Sequence, residues 1–142
     1  MIRHVAGVAE IVEDVDAAVA FYESLGLEVK REGEGYAIAN VSGVLHFGIW
    51  SRRDAAASTY GDPDAADRVP LGFSIGFEVD GVDESAASLG SVVVRAAGDE
   101  PWGQRTLRFR SPSGALCEIA ETPWARELET NVTPKSAEVA TS

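Results

Sequence analysis

Val5 to Val12 is a Val/Ala/Gly/Ile run broken only by Glu10, and this composition predicts a β-strand. Asp14 and Asp16 follow as helix-capping carboxylates. Behind them Val15, Val19 and Tyr22 recur at i, i+4 and i+7, with Ala18, Phe21 and Leu25 beside them, which predicts a helix with one apolar face. Gly26 stands where the residue after a helix C-terminus belongs. Three short strands are expected next, over Leu27–Arg31, Tyr36–Val41 and Val44–Trp50. Gly33-Glu34-Gly35 and Ser42-Gly43 mark the turns between them.

From Ser51 to Leu71 the chain turns to Asp, Ala, Ser, Pro and Gly, the composition of a connector with at most a short helical turn. Then the order begins again. Gly72–Val79 reads as a strand, Asp83 caps a helix ending at Gly90, and Ser91–Arg95, Arg105–Arg110 and Ala115–Glu121 read as strands. Val12-x-x-Val15-Asp16 returns as Val79-x-x-Val82-Asp83, and Ser42-Gly43-x-Leu45 returns as Ser113-Gly114-x-Leu116. The shared order indicates an internal duplication. The expected fold is therefore α+β, a single domain over residues 1–122 built from two β-α-β-β-β modules. These cover about 5–50 and 72–122, are joined by loop 51–71, and pair their curved sheets around a cleft. Residues 123–142 carry no period and are expected to form a peripheral or mobile tail.

Composition narrows the function by exclusion. With 12 basic against 23 acidic residues the net charge is −11, which repels phosphate backbones and anionic lipid, so neither nucleic acid nor membrane is an expected partner. No apolar run approaches a membrane span and no signal peptide precedes the first strand, so a cytoplasmic protein is expected. The single cysteine, Cys117, alternates onto an apolar strand face and reads as core. Two histidines in the whole chain cannot build a His-rich metal site.

Three segments resemble one superfamily, the vicinal oxygen chelate proteins, which include glyoxalase I, bleomycin-resistance proteins and extradiol dioxygenases. They are Val12-Glu13-Asp14-Val15-Asp16 running on to Phe21-Tyr22-Glu23 and Leu25-Gly26-Leu27; Phe77-Glu78-Val79-Asp80-Gly81-Val82-Asp83; and Pro101-Trp102-Gly103-Gln104-Arg105 with Ser111-Pro112-Ser113-Gly114 to Glu118-Ile119. The resemblance implies four metal-ligand positions, two per module. Carried over, they fall at Gly7, near His46, at Ser74 and at Glu118. Gly7 and Ser74 are thus vacated positions, and His4, three residues from Gly7, has the wrong strand parity to substitute. Two-module members commonly form homodimers, so a homodimer burying apolar surface along the module edges is also implied.

Two donors fall short of the three that a catalytic metal needs. The reading favoured is a metal-independent small-molecule-binding protein of the bleomycin-resistance type, with no cofactor, a resistance or sequestration role and a cationic or aromatic ligand. The alternative is a lyase, isomerase or dioxygenase that uses His46 and Glu118 with Ni, Zn, Mn or Fe. A third reading is a metal-free enzyme in which His46 or Glu118 moves a proton. Ligand-binding candidates are His46, Trp50, Trp102, Arg108 and Glu118. Against each stands a plainer role: packed histidine, core tryptophan, solvated arginine, or a carboxylate retained against a neighbouring Arg. Glu10, on the helix-facing side between Val8 and Val12, is expected to be partnered or to lie at a chain interface.

Overall fold

Asp14 ends one element and begins the next. Its carboxylate accepts the Ala17 N–H at 3.0 Å and so caps helix α1 (Val15–Ser24) directly behind strand β1 (Ile2–Val12). Leu25 is the C-cap, and Gly26 follows with φ +92°, a conformation glycine takes without strain. The computed structural model describes residues 2–124. Beyond Trp124, the tail expected at 123–142 lies outside the described residues.

The first module continues with β2 (Glu28–Gly33), β3 (Tyr36–Asn40) and β4 (His46–Ser51). The second runs β5 (Gly72–Val79), α3 (Val82–Leu89), β6 (Val93–Asp99), β7 (Arg105–Arg110) and β8 (Leu116–Glu121). The two do not form separate sheets. β1 and β5 pair antiparallel at the centre, with β4 and β8 running parallel to them on either side, which gives one curved, open eight-stranded sheet of order β2-β3-β4-β1-β5-β8-β7-β6. The α+β class and the repeated module order stand, and the expected cleft is the trough of this single sheet.

Strand alternation divides the side chains between two faces. On the outer face α1 packs Val15 against Ala37 and Ile49, and α3 packs Val82 against Val79, Leu107 and Ile119. Phe21 and Leu25, expected on the apolar face of α1, are largely exposed instead. The inner face carries the main departure from the sequence pattern. The expected connector is a nine-residue helix, α2 (Arg52–Tyr60), followed by a 3-10 stretch over Pro63–Arg68. Ser51 caps α2 by accepting the Asp54 N–H at 3.0 Å, and Gly61, at φ +73°, ends it. Its buried face is Ala55, Ala56 and Thr59, laid on Ile11, Leu116 and Trp50 of the sheet. Only small residues face inward, so no large apolar period announced this helix.

A β-bulge corrects the expectation for His4. The register steps from Gly7↔Gly76 to Val5↔Phe77, so β1 holds one extra residue there and parity is reset. His4 therefore lies opposite Glu78, which shares the face of Gly76, and it is buried on the inner side rather than pointing away.

Candidate functional site

Four residues line up across the centre of the inner face. Register pairs His46 of β4 with Gly7 of β1, Gly7 with Gly76 of β5, and Gly76 with Glu118 of β8. The row crosses three interstrand steps of about 4.8 Å each. His46 stands three residues past Gly43 and Glu118 four past Gly114, and the two turns absorb the difference.

Glycines shape the floor of this trough. A Cβ on Gly7 would lie 2.6 Å from His46 Cε1, so the imidazole rests across β1 where a side chain would otherwise stand. On Gly48 a Cβ would lie 2.6 Å from the Tyr36 hydroxyl, which reaches across β4 in the same way. A Cβ on Gly76 would approach Glu118 Oε1 only to 3.8 Å, ordinary contact.

The charges near Glu118 are paired. Arg108, 2% exposed, donates from Nε to Glu118 Oε2 at 3.2 Å, with Nη2 also 3.2 Å from that oxygen. Its Nη1 donates to the Ser58 hydroxyl at 2.8 Å and to the Ser58 carbonyl at 3.1 Å, tying α2 to the sheet. Nη2 also reaches Glu100 Oε1 at 3.5 Å, and that oxygen accepts from Arg95 at 2.7 Å and Thr106 at 2.8 Å. The Arg108 guanidinium lies 5.4 Å from the Trp50 ring centroid, and Trp50 meets Tyr36 edge-on at 6.5 Å.

Burial sets the proton affinities. It pushes the His46 imidazole below 6.5, so this ring is neutral at pH 7. It raises the Glu118 carboxyl, against the opposing pull of Arg108. Tyr36 is raised to about 12, first by burial and then by the charges of Glu118 and Glu32, which places its hydroxyl within electrostatic reach of Glu118.

Of the residues singled out in the sequence, His46, Trp50, Arg108 and Glu118 come together on this face. Trp102 does not. It stands on the turn between β6 and β7, 54% exposed, with its indole N–H donating to Gln104 Oε1 at 2.6 Å. Ser74 is also displaced: it pairs with Ala9, and Gly76 occupies the place opposite Gly7. Tyr36, Glu100 and Ser58 were missed, because the register that brings β3, the β6–β7 turn and α2 to the row is set by the sheet rather than by any local motif. Glu78, one inner position beyond Gly76 and 2% exposed, accepts the Thr122 N–H at 2.8 Å through one oxygen. Glu10 is partnered on the outer face, where the Tyr22 hydroxyl donates to it. Burial and this bond raise Tyr22 to about 12.

The fold and the paired modules define a class. The chain belongs to the Glyoxalase/Bleomycin resistance protein/Dioxygenase superfamily, whose family model matches residues 2–119. Among solved structures it is similar to a member of that superfamily from Vibrio splendidus 12B01, with TM-score 0.57 and 15% identity over 85% of this chain and 99% of the other. It is also similar to a methylmalonyl-CoA epimerase from Streptomyces coelicolor in complex with 2-nitronate-propionyl-CoA, with TM-score 0.56 and 19% identity over 87% of this chain and 99% of that one. A third is a Legionella pneumophila structure described as an NAD-dependent benzaldehyde dehydrogenase, with TM-score 0.58 and 15% identity over 82% and 97% of the two chains. At these identities the likeness is one of fold. No curated protein matches the chain. No helix among the described residues is long and apolar enough to cross a membrane.

The resemblance implies a divalent metal, and the donor set of this chain does not fit one. Two of the four positions in the row are glycine. Glu118 commits an oxygen to Arg108, and among the described residues no group of three or more His, Cys, Asp or Glu side chains is placed to hold an ion.

Proposed function

We propose that this protein binds a small molecule in the trough of its sheet without a metal ion, and acts by holding the ligand rather than transforming it. The observation that carries this reading is the His46–Gly7–Gly76–Glu118 row. It offers two polar side chains across two glycines, too few donors for a metal and a polar floor for a ligand. Trp50 and Tyr36 supply flat apolar walls beside it. A resistance or sequestration role follows from binding without turnover.

The test is metal analysis of protein purified without chelator, together with turnover assays on hemithioacetals, catechols and epoxides. The expected result is substoichiometric metal and no turnover. Stoichiometric Ni, Zn, Mn or Fe that is lost on Glu118→Gln would replace this reading with a metal-dependent lyase, isomerase or dioxygenase. Turnover by metal-free protein, abolished by His46→Ala, would replace it with proton-transfer catalysis.

We also propose that the protein is a homodimer, through a face other than the module edges. The inner edges, β1 and β5, already pair within the chain. Between α1 and α3 the outer face exposes Phe21 (58%), Phe73 (55%), Val92 (40%), Val5 and Ile75 (37% each). Clefts of ≈550 and ≈640 Å³ flank Phe73. The exposed apolar area is on the order of 400 Å², about half of what one partner buries in a standard interface. Protrusions and hollows share one surface, as a two-fold interface requires.

A further inference from the structure

Resting on the binding reading above, we infer that the trough takes a primary ammonium ion, the charged end of an organic amine, seated above Gly76 between the Glu118 and Glu78 carboxylates. Acceptors are in surplus at this place. Arg108 engages Glu118 through Oε2 and leaves Oε1 open. A Cβ built on Gly76 would stand 3.8 Å from Oε1 and no closer to anything else, so a methyl-sized group fits there, and an ammonium has that size. Glu78 stands two residues further along β5 on the same face, about 7 Å away at the backbone. It is 2% exposed, and one oxygen accepts the Thr122 N–H at 2.8 Å. The other, Oε1, is buried and accepts no hydrogen bond from any described residue, including His4 opposite it on β1. A buried carboxylate oxygen has given up its water, so one with no donor in its place marks where a donor is missing.

An ammonium carries three N–H donors and no acceptor. Two of them match the open oxygens of Glu118 and Glu78. The third matches the His46 ring, which rests over Gly7, the register neighbour of Gly76. Burial lowers the His46 imidazole below 6.5, so at pH 7 the ring is neutral and one of its nitrogens accepts. The carbon body of the amine then lies toward Trp50 and Tyr36. A hydroxyl in the same place would fill one acceptor and leave a carboxylate oxygen empty, and an anion would be repelled by both carboxylates. The acidity of the whole chain does not decide this preference; the two open oxygens do. A site of this kind discriminates strongly, because a ligand lacking the donors leaves buried acceptors unpaired.

Three probes of one size separate the possibilities: phenethylammonium, phenethyl alcohol and phenylacetate, each titrated into the full chain while the Trp50 and His46 resonances are followed by NMR. The expected result is that phenethylammonium binds about ten-fold or more tightly than the alcohol or the anion, and that Glu78→Gln removes this advantage while leaving the alcohol unchanged. The amide keeps an acceptor for the Thr122 N–H and takes away a buried charge, so the variant should fold with a Tm no lower than that of the wild type. Should its Tm fall instead, Glu78→Asp, which keeps the charge but withdraws it by one carbon, repeats the comparison and should weaken phenethylammonium likewise. Equal binding of ammonium and alcohol, or an ammonium affinity that neither Glu78 variant changes, overturns the inference while the binding site stands. If no probe moves the Trp50 or His46 resonances at millimolar concentration, the site reading itself falls, and the ligand class with it.

Discussion

At Gly7 the missing Cβ is what allows the His46 ring to lie flat across β1. In Gly7→Ala the new methyl would stand 2.6 Å from Cε1, so the imidazole must swing away from its buried seat. Its titration should then return toward 6.5, measured by NMR of the His46 ring protons. An unmoved pKa would mean that the ring is not seated as described. In the wild-type chain the folded value lies below the unfolded 6.5, so in that window the folded state holds fewer protons than the unfolded one. The His46 contribution to stability is complete above pH 6.5 and is lost as the pH falls through it toward the folded value. Denaturant unfolding of wild type and His46→Gln between pH 5 and 7 should differ in slope in that direction. Glu118 is coupled to packing as well as to the ligand. Glu118→Ala leaves a buried guanidinium held only by Glu100 and Ser58, and should cost about 3 kcal/mol, the lower end for a broken buried pair. A fall in stability well under 1 kcal/mol would show that the pair contributes little to the folded state.

Helix α2 is held to the sheet by small-residue packing and by two arginines of β7, Arg108 on Ser58 and Arg110 on the Tyr60 hydroxyl. Ala55 and Ala56 bury little area each, so the two bonds from Arg108 to Ser58 carry much of its orientation. Ser58→Ala removes the hydroxyl acceptor of a charged donor and should cost about 1.5–3 kcal/mol. Because the carbonyl bond remains, the loss should appear first as faster amide exchange across residues 52–60, ahead of global unfolding. Exchange that rises equally in α1 and α2 would contradict a local anchor.

For the molecule as a whole, the outer face between α1 and α3 sets the association state. Sedimentation of the wild type at micromolar concentration should give a dimer, and Phe73→Asp should give a folded monomer of 15.0 kDa, because Phe73 is already more than half exposed in the single chain; its Tm should fall only by the lost association and should no longer depend on protein concentration. A monomeric wild type would remove the proposal. A dimeric Phe73→Asp variant would move the interface elsewhere.

Much of this architecture is local and was readable from the chain. Asp14 caps α1 with the Ala17 N–H beside it in sequence, strand alternation put His46 and Trp50 on one side of β4, and the repeated Val-x-x-Val-Asp fixed the module order. These follow from side-chain period and capping chemistry, which need only neighbours along the chain. What the tertiary structure decided is whatever depends on register between distant strands. A bulge next to Gly7 turned His4 inward, and the β1–β5 pairing set Gly76 rather than Ser74 opposite Gly7. The same pairing fused the two modules into one sheet. Arg108, legible only as a polar position on a strand, gained its role when α2 and Ser58 folded over it, since a guanidinium finds its partners by proximity in space. The charge of the site was hidden for the same reason. A sum over the sequence counts every carboxylate alike, whereas burial and pairing decide which charges a ligand meets.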